Sequence, residues 1–122
     1  DVNKEIAELN QKDINNISFR NNNREISKSD LIRYSSLIKN QVMENWKSPS
    51  NINPNLKTEI EITIVPTGEI TSSTIIQSSG NNNFDESAMR AISKVKSFEG
   101  LNMQMNLFDE HFRNFILIFS PD

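Results

Sequence analysis

The stretch from Lys57 to Phe98 constrains the fold most, because it spells out strand, turn, strand and helix with little spare chain. Ile60, Ile62 and Ile64 alternate with Glu59, Glu61 and Thr63, the period-2 pattern of a strand with one buried face. Pro66-Thr67-Gly68 follows. Proline presets φ for the first turn position, and glycine accepts the positive φ that closes such a turn. Glu69 to Ser78, rich in Ile, Thr and Ser, must then return antiparallel, since so short a connection permits no crossover. Ser78-Ser79-Gly80 and three asparagines break the pattern. A helix is expected from about Asp85 to Ser97, capped by Asn83 or Asp85, with Phe84, Ala88, Ile92 and Val95 as its apolar stripe.

Upstream, Ser29 or Asp30 can cap a helix reaching Trp46, with Leu31, Tyr34, Ile38, Val42 and Trp46 on one face and Lys39, Asn40 and Glu44 mostly off it. Pro49 stops it. Leu101 to Glu110 follows no clean period and reads as an irregular packed segment. Phe112 to Phe119 is the last strand, apolar on both parities, so it is either sandwiched or has one face awaiting a partner. At the N-terminus, Val2, Ile6 and Leu9 make a thin stripe in a weak helix or a frayed tail over Asp1 to Asn16. Asn21 to Asn23 reads as linker, which divides the chain into an extension over 1–26 and a domain over 27–122.

The order helix, strand, strand, helix, strand predicts an α+β, two-layer domain. Its expected sheet is three-stranded and antiparallel, order 2-1-3, with both helices packed on one face. The second and third strands then become edges with unpaired backbone groups. The last strand carries little to blunt such an edge, with Arg113 near its start and an uncharged run after it.

The chemistry of enzymes is sparse. A net charge of −3 gives no basic field for nucleic acid or anionic lipid. No cysteine is present, and no apolar run reaches the roughly 18 residues of a spanning helix. His111 is the only histidine, so no Ser-His-Asp set can be argued from it. Glu59 and Glu61 share the solvent face of a half-buried strand, and Asp109-Glu110-His111 are too close in sequence to converge well on one ion. Ser78-Ser79-Gly80 lacks the further glycine and the lysine of a phosphate loop. The expectation is a non-enzymatic domain with no catalytic residue, no metal and no cofactor.

Four motifs in register carry a family resemblance. They are Trp46-Lys47-Ser48-Pro49 at a helix end; EIEITIVPTGEITSSTIIQSSG from Glu59 to Gly80; FDESAMRAI from Phe84 to Ile92; and FDEHFRNFILIFSP from Phe108 to Pro121. From about Ser29 onward the chain resembles the C-terminal domains of the TolA/TonB family of periplasmic energy transducers, TolA branch. TonB-like domains usually add a Tyr-Pro pair before the first strand and a Trp-x-Tyr/Phe-x-Pro stretch after the helix. Val95 to Leu101 has neither the tryptophan nor the proline. Some TolA domains carry a disulfide, which this chain cannot form.

The resemblance implies a periplasmic domain of a single-pass inner-membrane protein, with Asp1 to Asn16 as the tail of a helical stalk. The stalk would pass force from a TolQ–TolR motor, reached through an anchor outside this chain, to TolB and Pal. That supports outer-membrane integrity and cell division, and colicins and filamentous phage coat protein exploit such domains. The expected mode is β-strand addition by the TolB N-terminal segment on the last strand, over Phe112, Arg113, Asn114, Phe115, Ile116, Leu117, Ile118 and Phe119. The bland alternative is that this strand is simply core. Two other readings are a TonB-like module gripping receptor TonB boxes, and a small ferredoxin-like enzyme or nucleic-acid binder.

Overall fold

The computed structural model describes residues 17–20 and 28–121. The helix and stalk expected over Asp1 to Asn16 lie outside them. The elements are β1 (Ile17–Arg20), α1 (Lys28–Met43), β2 (Thr58–Ile64), β3 (Ile70–Gln77), α2 (Asn82–Val95), a short α3 (Met105–Leu107) running into a π-helical turn (Phe108–Phe112), and β4 (Asn114–Phe119).

The β2–β3 hairpin forms as its sequence demands. Gly68 N–H closes the turn on Val65 O at 2.7 Å, with Gly68 at φ 98°. Gly68 O then accepts from Phe98 N–H at 2.8 Å, and a Cβ on Gly68 would sit 2.1 Å from Phe98 O. Glycine is therefore required twice, for its backbone angle and for the close approach. α2 starts earlier than its apolar stripe suggests. Asn81 is the cap, its side chain accepting from Phe84 N–H at 3.0 Å, and three asparagines supply a choice of caps that periodicity does not resolve. α1 ends at Met43 rather than Trp46. Trp46 nevertheless packs inward, edge-on to Phe84 and Phe119, with its indole N–H on Ser87 Oγ at 3.0 Å. That contact physically joins the tryptophan motif to the FDESA motif. Lys39, expected off the apolar face, is buried.

Among the described residues the sheet has four strands, not three, in the order β1-β4-β2-β3, with every neighbour antiparallel. The expected order differs by the strand added outside β4. Ile17–Arg20, inside the stretch read as stalk and linker, pairs with β4 from Ile17 opposite Phe119 to Arg20 opposite Ile116. The last strand is therefore not a bare edge, and this corrects the expectation. A four-residue element between asparagine runs offers too short a window for a periodic signal to stand out.

Ile60, Ile62, Ile64, Phe115, Leu117 and Phe119 face the helices and are buried. Tyr34, Ile38 and Val42 of α1 and Phe84, Ala88, Ala91 and Ile92 of α2 close over them. Each large apolar side chain so buried contributes on the order of 1.5–3 kcal/mol before chain entropy is counted.

Candidate partner-binding edge

The two outer strands are held to the sheet in different ways. β4 pairs with β2 over its whole length without a register shift, from Thr63 opposite Asn114 to Thr58 opposite Phe119. Its pairing with β1 is equally regular but covers only Ile116 to Phe119. Among the described residues, no strand opposes Asn114 and Phe115 on that side. The β2–β3 ladder shifts twice, between Glu59 and Ile60 and between Thr63 and Ile64. The extra residues are Ile76 and Thr71 of β3. Bulges of this kind bend a strand and spoil an edge as a template for further pairing.

The eight residues expected to bind a partner thus separate into three groups. Phe112 and Arg113 precede β4. Phe112 is fully buried in the π-helical turn. Arg113 pairs with Asp109 and lies over the Phe108 ring at 4.9 Å. Phe115, Leu117 and Phe119 are core. Asn114, Ile116 and Ile118 lie on the opposite face of the sheet, Asn114 exposed and the two isoleucines half-buried. In the β2 register Ile116 is opposite Glu61 and Ile118 opposite Glu59, so two carboxylates flank this apolar pair.

β1 sits on this margin and also touches α1. Ile17 is 1% exposed. The Phe19 ring stacks on Phe115 at 4.9 Å and tilts against Phe112 at 5.4 Å. On the outer face Arg20 reaches Glu59 at 2.9 Å, a pair whose arginine side chain is 48% exposed. Such a pair is worth only about 0.2–1 kcal/mol. Sequence reasoning missed this strand. The available signal was the alternation Ile17, Ser18, Phe19, Arg20 between two asparagine runs.

β3 is fixed at its far end by a buried carboxylate. Asp85 accepts from Thr58 Oγ1 at 2.6 Å, Ser79 Oγ at 2.8 Å, Ser79 N–H at 3.1 Å, and Ser78 Oγ. Burial pushes the Asp85 carboxyl up, but the hydrogen bonds from Ser78, Thr58 and Ser79 together outweigh it and hold it below its ordinary value of 3.8. The start of β2, the exit of β3 and the first turn of α2 thereby meet on one side chain. The residues proposed from sequence as a helix cap and as a loop turn out to be one structural knot.

His111 is buried, and its Nδ1 has no hydrogen-bond partner among the described residues. Among the described residues no group of three or more His, Cys, Asp or Glu could hold a metal ion. An open groove between β3 and the end of α2 is lined by Glu69, Ile70, Ser93 and Lys96 among others, without a cluster of titratable groups. Among the described residues no helix is long and apolar enough to cross a membrane.

Comparison with known proteins places the chain in a family. A family model described as TonB C terminal matches residues 32–107. The Tol-Pal system protein TolA of Pseudomonas aeruginosa is 32% identical over 87 residues, which is 70% of this chain. The chain spans about a quarter (25%) of that relative's length. A solution NMR structure of TolAIII bound to a peptide derived from the N-terminus of TolB superposes with a TM-score of 0.68 and 28% identity, covering 84% of this chain and 81% of that one.

Proposed function

Because the chain belongs to the TonB C-terminal family, we propose that it is the interaction domain of a TolA-like Tol-Pal protein and takes an extended partner segment as an added strand. The observation that carries this reading is the likeness to TolAIII, whose solved form holds a TolB-derived peptide. Here the partner is the N-terminal segment of TolB, and the receiving strand is β4, Asn114–Phe119. A ladder without bulges supports this choice over the twice-shifted β3. Main-chain hydrogen bonds supply affinity and direction, while the partner's alternate side chains meet the core margin on one face and Glu59 and Glu61 on the other.

The wider role follows from that contact. The domain is periplasmic, tethered to an inner-membrane TolQ–TolR motor by a segment outside this chain, and passes force to TolB and Pal to maintain the outer membrane and support division. A strand pulled along its own axis loads many hydrogen bonds together, which suits a force-bearing link. Colicins and filamentous phage coat protein would use the same domain. Calorimetric titration of the chain with a TolB N-terminal peptide, a TonB-box peptide and a scrambled control tests the reading. Saturable binding of the TolB peptide alone is expected. Preference for the TonB box would move the domain to receptor engagement, and no binding of either peptide would overturn strand addition from these partners.

A further inference from the structure

We infer that β1 is a resident stand-in on the partner edge: Ile17–Arg20 occupies the β4 positions that the partner strand takes, and the partner binds by displacing it. This rests on the TolB-binding reading above. Three observations carry it. β1 is four residues long, so few ladder hydrogen bonds hold it on β4. Beyond the ladder and its contact with α1, β1 is held by the side chains of Ile17 and Phe19 and by one exposed ion pair, Arg20 with Glu59. The core of β2, β3, β4, α1 and α2 is otherwise closed around Ile60, Ile62, Phe84 and Leu117.

The same geometry states what the incoming strand must look like. Opposite Phe119 and Leu117 it needs bulky apolar side chains, where Ile17 and Phe19 now cover Phe115 and the sheet margin. Opposite Ile116 it gains from a cation, as Arg20 does against Glu59. The partner segment is therefore an alternating apolar and polar strand carrying a basic residue. While β1 is docked, apparent affinity is reduced by the fraction of molecules in which β4 is free.

The absence of native cysteine makes a direct test possible. Ser18 and Ile118 lie directly opposite each other, and antiparallel pairs bring Cα atoms to roughly 4.5–5.5 Å, within reach of a disulfide. Full-length chain carrying Ser18→Cys and Ile118→Cys is titrated with the TolB N-terminal peptide, oxidised and reduced. The oxidised form should bind at least about ten-fold more weakly than the reduced form of the same variant. In a second variant, Phe19→Ala should tighten binding by roughly three- to ten-fold, because it frees β4 more often. Equal affinity in both redox states, or weaker binding by Phe19→Ala, overturns the stand-in role while leaving TolB binding intact. No binding by any form, the unsubstituted chain included, overturns both. Oxidation to covalent dimers instead of cross-linked monomers would assign Ile17–Arg20 to a neighbouring copy and would overturn displacement within one chain.

Discussion

The two margins of this sheet are built by opposite means. β3 is joined to β2 by a tight turn, docked on Phe98 through Gly68, and tied at its exit to Asp85. All of these contacts are local or buried. β1 reaches its neighbour from the far end of the chain and adds to a four-pair ladder two apolar side chains, contact with α1 and an exposed ion pair. Yet β3, the strand that cannot leave, is the one whose ladder is bulged. β1, the strand that can leave, covers a regular ladder. The contrast teaches that an edge suited to partner strands can be protected by a weak occupant, whereas a permanent edge is protected by its own irregularity.

Substitutions should separate the margins by size of effect. Asp85→Ala strips the acceptor from Thr58, Ser78 and Ser79 and leaves the buried Thr58 hydroxyl unpaired, so unfolding in urea should lose about 3 kcal/mol. The acid limb of stability follows the same carboxyl. Since its folded value lies below 3.8, its stabilisation is complete above the unfolded value and drains away as pH falls through the folded one. Asp85→Asn should flatten that part of a stability–pH profile. Gly68→Ala forces a Cβ onto Phe98 O at a positive φ and should cost about 2 kcal/mol by the same assay.

On the other margin the effects shrink. Phe19→Ala should lower global stability by about 1 kcal/mol or less while raising exchange of the hydrogen-bonded amides of Ile17–Arg20, as read by NMR. Arg20→Ala should move the urea midpoint by no more than about 0.5 kcal/mol, and added salt should erase even that. If Phe19→Ala proved as costly as Asp85→Ala, the distinction between a fixed and an exchangeable margin would fail.

The sequence made the hairpin, both helices and the internal face of the last strand legible, because each repeats a period over enough residues to be read. Ile60, Ile62 and Ile64 point to the core as expected, as do Tyr34, Ile38 and Val42. β1 escaped for the opposite reason. Its four residues acquire meaning only from Ile116 to Phe119, distant in the chain, and no local pattern encodes that pairing. The role of Asp85 was half legible. Its position marked a helix start, but the convergence of Thr58, Ser78 and Ser79 on it is a tertiary fact. The apolar outer parity of the last strand, Ile116 and Ile118, did signal a strand facing more than solvent, although the first occupant of its edge is the chain itself.

Native-state hydrogen exchange, followed strand by strand across low urea concentrations, tests the difference between the margins most directly. The hydrogen-bonded amides of Ile17–Arg20 should exchange through a small opening that urea scarcely affects, while those of β2 and β4 wait for global unfolding. Identical opening free energies and urea slopes for β1, β2 and β4 would mean that the fourth strand is as permanent as the rest, and would contradict the account.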